Sequence, residues 1–127
     1  MTEVRPELQV IEESVDESTH VLALRGELDV GTVAELAQPL RGAIAQGKKA
    51  VIVDLGELTF IDSTGLMVLL NGLRRLIREG GRLALACTNP TVLRLFEVTG
   101  TDSTFTIRPD RSSALEAVRS PAEEREG

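Results

Sequence analysis

The chain alternates between short apolar runs and longer segments in which apolar residues recur every three or four positions. Two Val- and Leu-rich runs at residues 8–14 and 20–26 are separated by the polar spacer VDEST, which is typical of antiparallel strands joined as a hairpin. From Val33 to Ile44 the apolar residues keep helical spacing, and Gly47 then supplies a stop signal. The first part of the chain therefore predicts a hairpin followed by an amphipathic helix.

The rest of the chain continues to alternate between strands and helices. Residues 50–55, AVIVDL, form the apolar run expected of a central strand covered on both faces. A leucine-rich helical pattern follows over residues 66–77, and RLALAC at residues 82–87 predicts the next strand. In TNPTVLRLFEVTG, Asn89 or the preceding threonine is a candidate N-cap and Gly100 a terminator. STFTIRP predicts the last strand and RSSALEAV the last helix.

This order of elements predicts an α/β fold with a mixed β-sheet of about five strands, which starts with a β-hairpin and carries four to five helices. We expect one domain over residues 7–118. A flexible N-terminus over residues 1–6 and a flexible acidic tail over residues 119–127 are expected because both ends are polar and contain proline.

Composition and charge narrow the function classes. The net charge is -6 and aromatic residues make up only 2% of the chain, so we expect no nucleic acid partner. No apolar run reaches the roughly 18 to 20 residues that cross a bilayer, and MTEVRPE does not read as a signal peptide, so we expect a cytoplasmic protein without membrane insertion. The single cysteine, Cys87, is expected to be a small core side chain rather than a reactive thiol.

The most informative stretch is IDSTG, which lies between the central strand and the second helix. Asp62 or Ser63 is a candidate N-cap, since a side-chain oxygen there satisfies a free backbone N–H at the helix start. Gly65 falls in the first turn, where glycine costs about 1 kcal/mol relative to alanine. We interpret this glycine as a surface kept bare for the approach of another molecule.

The chain shows no motif that would make Ser63 a catalytic nucleophile. Its only histidine, His20, is predicted to be exposed at the start of the second strand, with no pattern that links it to the serine. There is no G-x-S-x-G elbow, P-loop, CxxC pair or HExxH sequence. We therefore expect no enzyme activity, no cofactor and no metal site, and serine hydrolysis is disfavoured. An exposed serine without a base suits a substrate of phosphorylation.

Four segments in series resemble the stand-alone STAS-domain anti-sigma factor antagonists of bacteria. They are GELD with the threonine three positions on, VIVDL, FIDSTGL and NPTVLRLFEVTG. The resemblance implies that the unphosphorylated protein binds an anti-sigma factor serine kinase with a histidine-kinase-like ATPase fold and so frees a sigma factor. Phosphorylation then releases the kinase, and a PP2C-type phosphatase restores binding.

The resemblance also implies roles for individual residues. Ser63 is the implied phosphoacceptor, and Thr64 is a second candidate acceptor. Asp29 is the implied acidic contact to the kinase, although Asp29 or Thr32 could instead cap the first helix. The implied partner-binding residues are Asp29, Thr32, Asp62, Thr64 and Gly65. An alternative function stays open, because STAS domains also serve as scaffold or adaptor subunits in stressosome-like assemblies and lipid-transport ABC systems.

Overall fold

The computed structural model describes residues 7–119, and its elements follow the predicted order. The elements are β1 (Leu8–Ser14), β2 (Thr19–Leu28), α1 (Val33–Ala45), β3 (Ala50–Ile61), α2 (Ser63–Arg78), β4 (Arg82–Ala86), α3 (Pro90–Thr99), β5 (Thr106–Arg108) and α4 (Arg111–Arg119). A 3-10 helix, Thr101–Ser103, lies between α3 and β5. The expected flexible segments were residues 1–6 and 119–127, of which residues 1–6 and 120–127 lie outside the described residues. Arg119, expected to begin the tail, is instead the last residue of α4.

The five strands form one mixed sheet in the order β1-β2-β3-β4-β5. β1 pairs antiparallel with β2, with Leu8 opposite Gly26 and Ser14 opposite His20. β2 to β5 pair in parallel. The predicted α/β fold with its opening hairpin is thus confirmed, and β3 is the central strand. Because β2 and β3 are parallel, their carboxyl ends meet at one edge of the sheet.

The two faces of the sheet are covered by different helices. On one face α1, α2 and α3 pack on the main core. Within this core Phe96 is fully buried, and its ring packs edge-on against that of Phe105 with the ring centroids 5.4 Å apart. On the other face α4 packs through Ala114 and Val118 against Ile52 and other small residues of the sheet. β3 contributes to both cores, since successive strand residues point to opposite faces.

Three strands differ in length from the prediction. β2 continues to Leu28 and β3 to Ile61, because the two strands stay paired with each other beyond the apolar runs, as far as the pair Leu28 and Ile61. β5 contains only Thr106–Arg108. The predicted strand started at Ser103, but Thr101–Ser103 forms the 3-10 helix, so the strand starts later. The longer β3 carries the chain directly into the start of α2.

His20 is not exposed as predicted. Its side chain is buried, and Nε2 lies 2.9 Å from Oε1 of Glu12 across the hairpin. His20 pairs with Val51 at the amino end of β3, whereas Ser63 follows the carboxyl end of that strand. At about 3.3 Å per strand residue, the imidazole and the serine are separated by about 30 Å. His20 therefore cannot act as a base for Ser63.

Cys87 is buried directly after β4, as predicted. Its backbone N–H donates to the carbonyl of Arg108 at 2.9 Å, which joins the ends of β4 and β5. Burial raises the pKa of the Cys87 thiol, so the thiol is protonated at neutral pH and is a weak nucleophile in the folded protein.

The two phenylalanines Phe96 and Phe60 allow a matched test of the main core. Phe96→Ala removes a fully buried ring and is expected to lower the free energy of unfolding by about 3 to 5 kcal/mol. Phe60→Ala removes a ring that is 43% exposed and is expected to cost less than about 1 kcal/mol. Urea unfolding followed by circular dichroism measures both, and equal losses would contradict this assignment of the core.

Candidate functional site

Asp62 joins the end of β3 to the start of α2. It is the N-cap, because its backbone is extended and its Oδ1 accepts a hydrogen bond from Gly65 N at 3.1 Å. Its other carboxylate oxygen, Oδ2, accepts from Val30 N at 3.3 Å. Of the two predicted cap candidates the structure selects Asp62. The carboxylate therefore links α2 to the loop that follows β2.

That loop, residues 29–32, is held by its own hydrogen bonds. Thr32 Oγ1 donates to the carbonyl of Glu27 and accepts from Asp29 N, both at 2.9 Å. Asp29 Oδ1 accepts from Gly31 N at 2.9 Å, which forms a local turn. Of the two residues considered as alternative caps of α1, Thr32 occupies the N-cap position, but no side-chain capping hydrogen bond forms there.

Ser63 is the first residue of α2 and is exposed. Among residues 7–119 its hydroxyl has no hydrogen-bond partner, and neither has that of Thr64, which is half-buried. Asp29, also half-buried, keeps its Oδ2 without a partner in the same part of the chain. A group attached to Ser63 would lie near the free N–H groups of the helix N-terminus and close to two carboxylates.

Exposed apolar side chains flank the serine. Of the seven large apolar side chains that are exposed within residues 7–119, three are Val30, Phe60 and Met67. Val30 lies beside Asp62 through the hydrogen bond above, Phe60 is near the end of β3, and Met67 is one helical turn after Ser63 on the same face. We call this region, with Asp29, Asp62, Ser63 and Thr64, the serine surface.

Two of the residues expected to contact a partner are buried. Thr32 is 5% exposed and organises its own loop. Gly65 is also buried, and a Cβ there would lie 2.6 Å from Leu28 Cγ and 3.1 Å from the Leu28 carbonyl oxygen. The interpretation that Gly65 is kept bare for another molecule is therefore wrong. Its missing side chain lets α2 pack directly on the end of β2.

The contribution of Val30 and Phe60 was missed by the sequence reasoning. Both are apolar residues next to a polar cluster, at GELDVG and TFID, and that position is the signal that could have found them. Whether these side chains are exposed depends on where the helices that cover the sheet end. The local sequence pattern does not predict those ends. Met67 carried a clearer signal, because it lies outside the apolar stripe that α2 buries.

Metal ligation and membrane insertion find no support in residues 7–119. In that range no group of three or more His, Cys, Asp or Glu side chains is placed to hold a metal ion. None of the helices described there combines the length and the apolar character needed to cross a bilayer.

Comparison with known proteins gives the family to which the chain belongs. The family model of the STAS domain matches residues 10–114, so the chain belongs to the STAS-domain family. The anti-sigma-B factor antagonist of Staphylococcus aureus is 32% identical over 90 residues, which are 71% of this chain and 83% of that protein.

Solved structures of similar proteins agree with the fold. An anti-sigma factor antagonist from Mycobacterium paratuberculosis is 28% identical with a TM-score of 0.82, over 93% of this chain and 99% of the other. The unphosphorylated form of the anti-sigma factor antagonist SpoIIAA is 29% identical with a TM-score of 0.76, over 87% and 96%. The phosphorylated form of SpoIIAA, a cell fate determinant of Bacillus, is 28% identical with a TM-score of 0.69, over 87% of this chain and 100% of the other.

The packing of Gly65 can be tested by adding one methyl group. Gly65→Ala places a Cβ against Leu28, and the overpacking is expected to lower the free energy of unfolding by about 1 to 3 kcal/mol. Gly42→Ala is the matched control, because a Cβ there meets nothing within 4 Å and is expected to stabilise α1 by about 0.5 to 1 kcal/mol. Thermal and urea unfolding measure both changes, and a stabilising Gly65→Ala would disprove the close packing.

Proposed function

We propose that this chain is an anti-sigma factor antagonist of the bacterial cytoplasm that acts as a phosphorylation-controlled partner switch and not as an enzyme. Unphosphorylated, it binds a cognate anti-sigma factor serine kinase and releases the sigma factor. Phosphorylation of Ser63 abolishes that binding, and a PP2C-type phosphatase restores it. The observation that carries the proposal is that Ser63 is exposed on the serine surface, with exposed apolar side chains beside it and with no hydrogen-bond partner for its hydroxyl within residues 7–119. The names of the relatives support the class of function.

The serine surface suits binding in the unphosphorylated state. Val30, Phe60 and Met67 offer apolar area that a partner can cover, which favours association through the hydrophobic effect. Asp29 Oδ2 has no hydrogen-bond partner among the described residues and is available to a cationic side chain of the kinase. Asp62, in contrast, uses both carboxylate oxygens inside the chain. We assign Asp62 to positioning Ser63 and Asp29 to the direct charged contact.

Phosphorylation would change the charge of this surface without disrupting the fold. A phosphate on Ser63 adds about -1.5 to -2 charges at neutral pH. The N-terminus of α2 favours a negative group at this position, so the helix persists. The carboxylates of Asp29 and Asp62 each accept a backbone hydrogen bond, which favours their present positions near Ser63. Negative charge therefore accumulates where the partner must exclude water, and the affinity falls.

Ser63 is better placed as the acceptor than Thr64. Ser63 is exposed, whereas Thr64 is half-buried and the next residue, Gly65, is packed against Leu28. A kinase that covers the serine surface reaches the Ser63 hydroxyl without moving α2. No base from this chain is needed, because the kinase supplies the catalytic groups for phosphoryl transfer.

Incubation with the cognate kinase and Mg-ATP tests the acceptor directly. One phosphate is expected on Ser63, and its loss is expected in Ser63→Ala, because no second hydroxyl of the site is equally exposed. Mass spectrometry of proteolytic fragments locates the phosphate. Ser112→Ala is the matched control, since Ser112 is an exposed serine in the first turn of α4 on the other face of the sheet. A chain that binds the kinase and takes up no phosphate at Ser63 or Thr64 would overturn the switch.

Substitutions at Ser63 separate the role of charge from that of shape. Ser63→Ala is expected to keep the affinity for the kinase within about twofold, whereas Ser63→Asp is expected to weaken it about tenfold or more through like-charge repulsion and desolvation. Ser112→Asp adds the same charge elsewhere and is expected to have no effect. Calorimetric titration measures all three variants. Equal affinities would exclude the electrostatic mechanism, and stable binding to a transporter ATPase regardless of Ser63 would favour the adaptor function.

A further inference from the structure

A second surface lies toward the opposite end of α2. A groove of about 400 Å³ runs between α1 and α2. Its apolar floor is formed by the half-buried Ala37 and Val68, with Leu40 and Ile44 nearly fully buried beneath them. Four arginines line the same groove. They are Arg41 from α1 and Arg74, Arg75 and Arg78 from α2. We call this region the arginine groove.

The arginine groove concentrates positive charge on an acidic chain. The net charge is -6, yet within residues 7–119 the four guanidinium groups share a single ion pair, in which Glu79 Oε2 lies 3.9 Å from Arg75 Nε. Arg41, Arg74 and Arg78 form no ion pair and no side-chain hydrogen bond in that described range. Like charges placed together repel each other, so folding does not favour this arrangement.

The helix dipole accounts for only part of the cluster. Cations in the last turn of a helix are stabilised by its macrodipole, and Arg75 and Arg78 occupy the last turn of α2. Arg41 belongs to the other helix and gains nothing from the end of α2. It is brought close because α1 and α2 pack tightly at Gly72, where a Cβ would lie 2.5 Å from Leu40 Cδ2. No structural role is therefore left to explain why positive charges from α1 and from α2 lie together at the groove.

We infer that the arginine groove binds an acidic amphipathic segment of a protein partner. Apolar side chains of the segment would cover the floor, while its carboxylates would form charge-assisted hydrogen bonds with the arginines. Arg74 and Arg78 are one turn apart, about 6 Å along the axis, which matches carboxylates at positions i and i+4 of a partner helix. The groove thus fits the helix-in-groove mode of peptide recognition.

A bound phosphate group fits the arginine groove less well than carboxylates do. Phosphate sites in proteins commonly use free backbone N–H groups at a helix N-terminus. The arginines of α2 lie in its carboxyl-terminal half, where the N–H groups are already bonded within the helix. The charged groups that line the groove are arginine side chains, and the rest of its lining is mostly apolar. Ser63 precedes Arg74 by about three turns, or about 16 Å, so the two surfaces can be occupied separately.

Fluorescence anisotropy with a defined probe tests this inference on the full chain. The probe is a labelled helical peptide of about 16 residues with leucines on one face and glutamates flanking them. Binding is expected, and Arg74→Glu/Arg78→Glu should weaken it at least about tenfold through charge reversal. Arg94→Glu/Arg108→Glu makes the same charge change at exposed sites outside the groove and should alter the affinity less than about twofold.

Further measurements separate specific binding in the groove from misfolding and from a general effect of charge. Circular dichroism shows whether the double variants fold, and Arg74→Gln/Arg78→Gln replaces the reversal variant if it does not. Ser63→Asp should bind the peptide like the unmodified chain, which keeps this result separate from the fate of the proposed switch. The inference is overturned by equal weakening in both double variants or by absence of binding. It is also overturned if substitution of the groove arginines weakens only the binding of pyrophosphate, or of vesicles that contain phosphatidylglycerol, and not the binding of the peptide.

Discussion

The contact between Leu28 and the first turn of α2 sets the position of everything in the serine surface. The Leu28 carbonyl accepts the N–H of Asp62 at 3.1 Å, and its side chain fills the space that Gly65 leaves open. Asp62 then spans from this junction to the loop after β2. Through these bonds the end of β2, its following loop and the start of α2 form one rigid unit. Ser63 is presented from that unit and not from a free loop.

Most of the fold could be predicted from local sequence, because apolar spacing and turn residues report directly on helices and strands. The hairpin, the central strand and the caps of α3 at Asn89 and Gly100 were all readable in this way. Local sequence did not predict which side chains pack against each other in the folded chain. The buried imidazole of His20 has a hydrogen-bond partner in Glu12 across the hairpin, and β2 and β3 extend as far as their residues still pair with each other. These outcomes depend on neighbours that are distant in the sequence.

In the candidate site, too, local features were predictable from the sequence and tertiary contacts were not. The sequence predicted a cap at Asp62 or Ser63, and the structure selects Asp62 and leaves Ser63 exposed. Gly65 and Thr32 were assigned to an outer surface, yet both are needed for internal packing and loop geometry. A glycine or threonine at a helix start has the same sequence signature whether its environment is solvent or a buried leucine. The tertiary contact alone distinguishes the two cases, and here it reduces the exposed part of the site to fewer residues.

Ser63 lies in the first turn of a folded helix, and this limits how any modifying enzyme can recognise it. Enzymes that modify linear motifs bind their target as an extended peptide, which here would require α2 to detach from Leu28 and from the main core. An enzyme acting on the folded chain would instead use side chains that are adjacent only after folding, such as Val30 from one loop and Met67 from the helix. The folded shape is then the recognition signal, so a newly made or unfolded chain with the same FIDSTGL sequence would be passed over.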